Sequence, residues 1–497
     1  MLISPQALTF IDPIASLRGA AAQELREHIL HNRPSPSPDI NDPNLRVEEI
    51  FEGLELPTSM AFLGEDDILV TEKDSGRVQR IVDGEMQEEP VIDVQVANND
   101  ERGLLGIDIS NTNGTGQYVF LYFTESGGGE DGDDWSEGTP PAGTRLYRYN
   151  IVPGTGEDAQ VQLASETLLL DLPGTPGPRY HGGPVAIGPD NNVYVVIGTV
   201  DHHETQAQNF EDGPRPDGTS GVMRITQEGE VEDIQGVISD ENPLNLYYGY
   251  GIRQSFGMEF DPVTGNLWDT ENGPNEYDEL NLVEPGFNSG WRDVSGLAER
   301  AGDLDIEEDL VDFDGRGRYS DPEFTWQQTV APTGLDFLDS SALGAAYQND
   351  LFVGDYNNGN LYHFDLNQDR TQLVLGGGLA DRALDSGDEV GDILFGTGFG
   401  GITDVEVGPD GYLYVLTFQD DGGSIFRIVP DDLETENDTD NDANEAETEE
   451  ETATTTSDND DADNTDDAAE EEEEETAEDT GAPSLAQILA ERIAETP

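Results

Sequence analysis

One arginine, a strand and a Gly-Pro corner backed by carboxylates lie close together near the middle of the chain. Arg253 precedes an apolar run, and the segment Leu267-Trp-Asp-Thr-Glu-Asn-Gly-Pro ends in the corner at Gly273 and Pro274, with Asp278 behind it. Such a corner can direct backbone carbonyls at a hard cation, because oxygen ligands suit calcium. A guanidinium nearby can hold an anion. The spacing therefore indicates a site for a cation beside an anionic ligand.

A second candidate site is the segment Pro178-Arg-Tyr-His-Gly-Gly-Pro. Its two glycines let the backbone pass close to a ligand. His181, one of only six histidines in the chain, is either a residue of such a site or a hydrogen-bonded structural histidine. Further along, His202 and His203 stand among carboxylates and leave a metal site as another interpretation.

The region from about residue 44 to residue 430 carries the pattern of many short strands. Apolar or alternating runs rich in Val, Ile, Tyr and Phe recur between clusters of Gly, Asp, Asn and Pro. Turns that join an inner strand to an outer one occur at Gly188-Pro-Asp-Asn-Asn, Asp261-Pro-Val-Thr-Gly and Gly408-Pro-Asp-Gly. Repetition of such units about every 60 residues predicts an all-β, six-bladed β-propeller. A pair of β-sandwiches is the alternative. In a propeller, loops at one mouth of the central channel gather residues that are distant in sequence.

The two ends of the chain differ from this region. Residues 1–43 predict a short amphipathic helix, roughly Ala15 to His31, followed by a Pro-rich linker. Residues 431–497 begin with a stretch to Thr480 that holds 26 acidic residues and no basic one. Such a segment cannot bury enough apolar surface to order itself, so the sequence predicts a disordered acidic tail. Apolar residues at helical spacing after Pro483 predict a short terminal helix.

Composition excludes several classes of protein. The chain has 497 residues and a formal net charge of −85, which argues against nucleic acid and anionic membranes as partners. This charge favours a halophilic host, with an ordinary acidic secreted protein as the alternative. The absence of cysteine excludes disulfides and zinc-thiolate sites. No apolar run reaches the roughly 18 residues of a membrane span. The N-terminal residues lack a secretory pattern, so the chain as written is expected to be cytoplasmic.

From about Gly53 to Val429 the chain resembles the soluble PQQ-dependent sugar dehydrogenases, the glucose/sorbosone (aldose) dehydrogenase family. The resemblance is densest between Tyr250 and Trp291. It implies pyrroloquinoline quinone (PQQ) and calcium as cofactors, a sugar substrate, an external electron acceptor and a location outside the cytoplasm. In the mechanism that it implies, calcium polarises a quinone carbonyl and a histidine removes the hydroxyl proton, while the sugar carbon delivers hydride to the quinone.

The resemblance also implies roles for individual residues. The segment Phe324-Thr-Trp-Gln-Gln-Thr-Val-Ala-Pro is similar to the family segment that walls the quinone. The matching positions are Arg253 and Gln254 for contact with the quinone, Gly273 and Pro274 for calcium, and Trp326 and Thr329 for the walls.

The chain departs from the family pattern at the proton-accepting pair. Aligned on the two glycines, the family histidine falls on Tyr180 and the aspartate that orients it falls on Thr199. His181 stands one place after the first position, and Asp201 stands two places after the second. We therefore expect His181 and Asp201 to form a displaced catalytic pair.

Three of the family's quinone-binding cations are also replaced, and the matching positions are Asn357, Gly401 and Thr403. Each lost charge-assisted hydrogen bond is worth roughly 1.5–3 kcal/mol. The main hypothesis is a quinoprotein sugar dehydrogenase-like oxidoreductase. The alternative is a non-catalytic propeller that binds a carbohydrate or a protein at the channel mouth, and a calcium-dependent lactone or ester hydrolase is a third possibility.

Overall fold

The computed structural model describes residues 38–110, 118–132, 139–154, 161–201, 204–231, 238–302, 304–419 and 422–431. The predicted N-terminal helix, the acidic tail and the short terminal helix lie outside these ranges, as do His202 and His203. The structure therefore does not test those predictions.

The described residues are almost entirely strands and turns. In chain order the strands are Asp39–Ile40 (β1), Leu45–Leu54 (β2), Pro57–Gly64 (β3), Asp67–Glu72 (β4), Arg77–Val82 (β5), Glu85–Met86 (β6), Ile92–Asp93 (β7), Leu104–Ser110 (β8), Tyr118–Glu125 (β9), Gly143–Pro153 (β10), Val161–Leu172 (β11), Val185–Ile187 (β12), Asn192–Ile197 (β13), Gly221–Thr226 (β14), Tyr247–Tyr250 (β15), Ser255–Phe260 (β16), Leu267–Glu271 (β17), Glu276–Val283 (β18), Phe287–Asn288 (β19), Arg318–Tyr319 (β20), Phe324–Gln328 (β21), Pro332–Phe337 (β22), Leu351–Asp355 (β23), Leu361–Phe364 (β24), Ala383–Leu384 (β25), Leu394–Thr397 (β26), Gly401–Val407 (β27), Leu413–Gln419 (β28) and Gly422–Pro430 (β29). The helical segments among the described residues are one α-helical turn, Ile306–Asp309 (α1), and the 3-10 turns Gln206–Gln208, Leu244–Leu246, Ala298–Arg300, Gly377–Asp381 and Val390–Asp392.

The strands form six sheets within the described part of the chain. Sheet I is β3-β4-β5-β6 with β7 beside β5, sheet II is β8-β9-β10-β11, and sheet III is β12-β13-β14-β15-β19-β20. Sheet IV is β16-β17-β18-β21-β25, sheet V is β22-β23-β24-β26-β1, and sheet VI is β27-β28-β29-β2. Within each sheet the successive strands are mostly antiparallel hairpin neighbours, as short connections dictate.

The first strands of the six sheets contact one another in cyclic order. Strand β3 contacts β8, β8 contacts β12, β12 contacts β16, β16 contacts β22, β22 contacts β27, and β27 contacts β3. The ring is closed by the beginning of the described chain, because β2 pairs with β29 and β1 pairs with β26. This arrangement confirms the predicted all-β propeller.

Local sequence explains the individual hairpins. Apolar runs that begin at Ile68, Tyr118, Val193 and Leu413 form most of β4, β9, β13 and β28. Strands in the middle of a sheet, such as β13 and β17, are buried on both faces, because neighbouring sheets cover them. The apolar side chains between adjacent sheets form the core clusters. Within the described ranges, the structure contains no helix that is both long and apolar enough to cross a membrane.

Candidate active site

Three loops that lead into inner strands meet at one edge of the ring. Glu101 lies just before β8, Tyr180 before β12 and Gln254 before β16. Oε2 of Glu101 accepts hydrogen bonds from the backbone N of Tyr180 at 2.5 Å and from Nε2 of Gln254 at 2.9 Å. Oε1 of Gln254 in turn accepts one from the backbone N of Gly182 at 3.0 Å. One carboxylate and one amide therefore tie sheets II, III and IV together at this edge.

The backbone around Tyr180 is shaped by unusual local conformations. Tyr180 has a φ of 64°, in the left-handed region that non-glycine residues occupy at a cost. Its carbonyl accepts a hydrogen bond from the backbone N of Val200 at 3.2 Å. Gly198 makes this close approach possible, because a Cβ there would lie 2.5 Å from the carbonyl oxygen of Arg253 and 2.7 Å from that of Tyr180. The end of β13 can therefore pass directly behind the two loops.

Two guanidinium groups lie against the Tyr180 ring. The guanidinium carbon of Arg253 is 4.4 Å from the ring centroid, and that of Arg179 is 5.5 Å away. Nη2 of Arg253 also donates to the Tyr180 hydroxyl at 2.9 Å, and its guanidinium lies 5.4 Å from the Trp291 ring. Cations over aromatic faces gain electrostatic stabilisation. The sequence predicted Arg253 as the arginine that contacts the ligand and did not identify Arg179, although Arg179 directly precedes Tyr180 in the sequence.

The Gly-Pro corner lies beside Arg253, as the sequence predicts. Nη1 of Arg253 donates to the carbonyl of Asn272 at 2.8 Å and to that of Gly273 at 3.0 Å. Pro274 is exposed. The side-chain Oδ1 of Asn272 is buried without a hydrogen-bond partner. The corner thus offers a group of oxygen ligands of the kind that calcium takes, with two of the carbonyls bonded to the guanidinium.

Asp278 holds this corner in place. Its Oδ1 accepts a hydrogen bond from the backbone N of Gly273 at 2.8 Å, and its Oδ2 accepts from the backbone N of Val330 at 2.6 Å and of Ala331 at 2.8 Å. Burial raises the pKa of Asp278 to about 6, although these amides and Arg253 act in the opposite direction. The carboxylate fixes the corner relative to the loop that leads into β22.

Glu101 has a raised pKa. Burial raises the pKa of Glu101 to about 7, against the hydrogen bond from the Tyr180 amide, and the charge of Asp100 adds to the increase. Arg253 and Arg179 act in the opposite direction. Glu101 is partly buried rather than enclosed. A carboxylate with these properties can exchange a proton near neutral pH.

The structure places His181 inside the protein, directly behind this edge. Its Nδ1 lies 2.9 Å from Oγ1 of Thr144 and its Nε2 lies 3.1 Å from the carbonyl of Gly177, and it has no exposed surface. Burial lowers the pKa of His181 to about 3. Both ring nitrogens are therefore engaged, and the neutral ring is a weak proton acceptor.

Asp201 bonds to a different partner from the one that the sequence suggested. Its carboxylate accepts hydrogen bonds from the backbone N and from Nε of Arg179, both at 3.2 Å. The carboxylate also lies against Gly177, where a Cβ would come within 1.7 Å of Oδ2. In this structure His181 bonds to Thr144 and Gly177, whereas Asp201 bonds to Arg179, so the two side chains are not bonded to each other. Asp201 positions Arg179.

The residues predicted to wall a quinone lie at two different depths. Trp326 has no exposed surface and packs edge-on against Phe324, 4.9 Å between ring centroids, in the core between sheets IV and V. A ring that is covered on all sides has no face left for a ligand, so in this structure its role is in packing. Thr329 is partly buried at the loop, where its carbonyl accepts a hydrogen bond from the side chain of Asn357 at 3.2 Å.

A group of buried carboxylates lies behind the corner on sheet IV. Asp269 has no exposed surface, and neither of its carboxylate oxygens has a hydrogen-bond partner among the described residues. Burial and the charge of Glu271 raise the pKa of Asp269, whereas the nearby side chains of Asn281 and Ser255 act in the opposite direction. Glu279 accepts hydrogen bonds from the backbone N of Gly296 at 2.6 Å and from Oγ of Ser289 at 3.2 Å. These oxygens form a second group near the corner with cation-binding chemistry.

Two further groups of ionisable residues lie away from this edge. Asp350, His363 and Asp365 on sheet V place their ligand atoms within 4.8 Å of one another, and His363 Nε2 lies 2.9 Å from Oδ2 of Asp350. Along the inner strands, burial raises the pKa of five carboxyl groups, and neighbouring carboxylates add to the increase in all of them except Asp108; the five are Asp108, Glu259, Asp336, Asp404 and Glu406. Several of them accept hydrogen bonds from the backbone of the next sheet, as Asp404 does from the backbone N of Met60 at 2.8 Å.

The fold is an all-β propeller, and at one edge of its ring two arginines lie against the ring of Tyr180. Residues 54–427 match the family model described as Glucose / Sorbosone dehydrogenase. The chain belongs to this family.

Relatives with similar sequences span most of its length. An uncharacterized protein of Synechocystis sp. is 27% identical over 406 residues, which cover 77% of this chain and 86% of that protein. The aldose sugar dehydrogenase YliI of Escherichia coli is 24% identical over 387 residues, 78% of this chain and 93% of the relative. The quinoprotein glucose dehydrogenase B of Acinetobacter calcoaceticus is 27% identical over 287 residues, 54% of this chain and 57% of the relative.

Solved structures share the fold. The soluble aldose sugar dehydrogenase of Escherichia coli in its apo form has a TM-score of 0.59 at 22% identity, with 78% of this chain and 99% of that chain covered. The PQQ-bound aldose sugar dehydrogenase of Streptomyces coelicolor has a TM-score of 0.54 at 20% identity, with 80% and 100% covered. At these identities the likeness shows the architecture alone.

Proposed function

We propose that the protein is a quinoprotein sugar dehydrogenase-like oxidoreductase, which binds PQQ at the edge where Tyr180, Arg179 and Arg253 meet and oxidises an aldose there. Family membership supports the reaction class, and the names of two relatives, an aldose sugar dehydrogenase and a quinoprotein glucose dehydrogenase, support the substrate and the cofactor. The arginine pair on Tyr180 is the single observation of the site that carries the proposal.

The residues at this edge fit a flat, anionic quinone. PQQ is planar and carries three carboxyl groups, so it requires cations around a flat surface. Arg253 and Arg179 supply two guanidinium groups beside the Tyr180 ring, and Gln254 supplies an amide next to them. Arginine forms bidentate bonds with carboxylates, which adds orientation to attraction. Two arginines in place of one partly offset the family cations replaced at Asn357, Gly401 and Thr403.

Bound there, the quinone would accept the hydride that the sugar carbon releases. The protein's own residues would orient the sugar hydroxyl beside the cofactor, hold the cofactor's carboxyl groups and remove the hydroxyl proton. Reduced cofactor would then pass its electrons to an external acceptor.

Calcium fits the oxygen ligands of the corner. The carbonyls of Gly273 and Pro274 would hold it, and the unpartnered Oδ1 of Asn272 is a further oxygen within the same turn. Arg253 bonds to the Gly273 carbonyl in the ligand-free structure, so its guanidinium would have to turn from this carbonyl toward the cofactor's carboxyl groups. This exchange predicts that calcium and quinone bind more tightly together than either does alone.

We also propose that each of the six sheets is one blade of a six-bladed propeller, which the cyclic order of the inner strands supports. The charge of −85 supports function at high salt, where screening limits self-repulsion. PQQ binding and aldose oxidation should therefore be measured in molar potassium chloride.

Binding and turnover test the proposal separately. The apoprotein is titrated with PQQ in the presence and absence of calcium, with binding followed by absorbance, and dye reduction is then measured with a panel of aldoses. Arg253→Leu should weaken PQQ binding by about 10- to 150-fold, the equivalent of one charge-assisted hydrogen bond of roughly 1.5–3 kcal/mol. Arg215→Leu is the matched control, because Arg215 is an exposed arginine paired with Glu241.

Three outcomes are informative. Binding that Arg253→Leu weakens, together with turnover of an aldose, supports the dehydrogenase. Binding of PQQ without turnover supports the alternative of a non-catalytic propeller, which the replacements at Tyr180 and Thr199 allow. Absence of PQQ binding by the wild-type protein under all conditions removes the basis of the proposal.

A further inference from the structure

The replacement of the family histidine by Tyr180 leaves the proposed reaction without a proton acceptor at that position, and His181 does not supply one. Its ring nitrogens are bonded to Thr144 and Gly177 inside the protein. The acceptor must therefore be a group that reaches the same edge as the arginine pair and is available to a ligand.

Glu101 is placed at this point by hydrogen bonds from two neighbouring sheets. The Tyr180 amide and the Gln254 side chain both donate to Oε2. The Gln254 side chain is itself oriented by the Gly182 amide, so its NH₂ group is directed at Glu101. Both donors converge on one oxygen of the carboxylate, and among the described residues no hydrogen bond reaches Oε1. Oε1 is the oxygen left for a substrate hydroxyl.

We propose that Glu101 is the catalytic residue that accepts the proton of the sugar hydroxyl, in place of the histidine of the family pattern. This inference rests on the proposed function. In the step, the hydroxyl O–H bond breaks and its proton goes to Glu101. The hydrogen on the same carbon leaves with its electron pair to the quinone, and the carbon–oxygen double bond forms. The sugar is oxidised by two electrons, the quinone is reduced by two, and the protonated Glu101 later releases its proton to water.

The charges around Glu101 suit this role. Asp100, Arg253 and Arg179 are the charged residues that act on Glu101, and Asp201 forms an ion pair with Arg179. Burial and Asp100 favour the neutral acid, whereas the arginines favour the carboxylate, and the balance places its pKa at about 7. At neutral pH a large fraction of Glu101 is therefore ionised, and it is more basic than an exposed glutamate.

The test compares Glu101→Gln with Glu101→Asp and with Glu323→Gln in molar potassium chloride. Glu323 is the matched control, because burial also raises its pKa to about 7 but it faces Arg382 and Asp321 on sheet IV, before β21. We expect Glu101→Gln to lower kcat by about 10²- to 10⁴-fold, the usual contribution of a general base, and to leave the Kd for PQQ nearly unchanged. The rise of wild-type kcat/KM with pH near 7 should disappear in this variant. Glu101→Asp should keep that rise at a lower kcat, and Glu323→Gln should match wild type.

A second readout does not depend on turnover. Infrared difference spectra of the apoprotein between pH 5 and 9 should show overlapping carboxyl bands that titrate near 7, because burial raises the pKa of several carboxyl groups to this value. Glu101→Gln should lose one band of this set, and Glu323→Gln should retain that band. The role of Glu101 is overturned if Glu101→Gln retains wild-type kcat and its pH profile, or if that band is unaffected. A wild-type protein that oxidises no aldose overturns the proposed function and this role with it, whereas an active wild type with an equally active Glu101→Gln overturns the role alone.

Discussion

Removal of the Asp278 carboxylate should loosen the Gly-Pro corner by a measurable amount. Asp278→Ala takes the acceptor from three backbone amides, those of Gly273, Val330 and Ala331. Each buried amide without a partner costs about 1–3 kcal/mol. Val330 is buried, whereas Gly273 and Ala331 are partly exposed and can recover water, and loss of a buried charge returns some free energy. We therefore expect a net loss of about 3 kcal/mol.

The expected shift of Tm follows from this loss of unfolding free energy and from the number of residues in the propeller. The entropy of unfolding is about 2.1 cal/mol/K per residue, so the roughly 360 residues that the structure describes give about 0.8 kcal/mol/K. A loss of 3 kcal/mol then lowers Tm by about 4 °C, measured by calorimetry at fixed salt and pH. Asp278→Asn keeps one oxygen for Val330 and Ala331 and places an NH₂ group opposite Gly273, so its Tm should fall between those of Asp278→Ala and wild type. The exposed Asp388→Ala is the control and should leave Tm unchanged.

The Gly-Pro corner should also affect the affinity for PQQ. Because Arg253 bonds to the carbonyl of Gly273, a mobile corner should weaken PQQ binding in Asp278→Ala even at temperatures where the protein is folded. If Asp278→Ala melts with wild type and binds PQQ equally well, the three amide hydrogen bonds do not hold the corner, and the account of its geometry is refuted.

Four other expectations can be checked with the same preparations. Gly198→Ala should abolish PQQ binding and destabilise the fold, because its Cβ would meet the carbonyls of Arg253 and Tyr180 at 2.5 and 2.7 Å; binding at wild-type affinity would contradict this. His181→Ala should lower the free energy of unfolding by about 2–4 kcal/mol through the lost bonds to Thr144 and Gly177, and so lower Tm, while kcat in the folded variant keeps its pH profile. A selective loss of kcat at unchanged Tm would instead restore His181 as the base. Trp326→Phe should cost about 1–3 kcal/mol of stability without changing the Kd for PQQ, and a changed Kd would put its ring in the site. Burial raises the pKa of Asp108, Asp336 and Asp404 to about 7, so the folded protein binds more protons than the unfolded chain between pH 4 and 7. Its stability should therefore rise as the pH falls from 8 to 5. Melting curves that show the reverse would contradict the burial of these groups.

The fold was predictable because its signals are local and repeated. Turns such as Gly188-Pro-Asp and Gly408-Pro-Asp between apolar runs each specify one hairpin, and a propeller is a repetition of such hairpins. The pairing of β1 with β26 was not predictable in the same way, because two residues carry no periodic pattern and their partner lies at the other end of the described chain.

The site was predictable only where neighbours in sequence are also neighbours in space. Arg253 and the Gly273 corner belong to one hairpin, and two hydrogen bonds join them in the structure. The network around Glu101 joins residues 79 and 153 positions apart, so no spacing reveals it. Its one local signal was a glutamate placed just before an inner strand.

The expected pair of His181 and Asp201 failed to meet for a physical reason. Tyr180 adopts a left-handed φ, and the side chains of Tyr180 and His181 lie in different places, with the Tyr180 ring against two arginines and His181 in the core. A single sequence gives no warning of this conformation, because tyrosine rarely adopts it. The same backbone turn brings Tyr180 itself to the face where Arg179 and Arg253 lie.

The closure of the ring also determines how the protein responds to mechanical force. The β2–β29 pairing joins residues up to 385 positions apart, because Leu45 at the start of β2 lies opposite Pro430 at the end of β29. Tension applied between the two ends of the described chain therefore loads these hydrogen bonds one after another, as in a zipper, rather than all at once in shear. The β2–β29 pairing would separate at low force, while the hairpins of the other sheets stay intact.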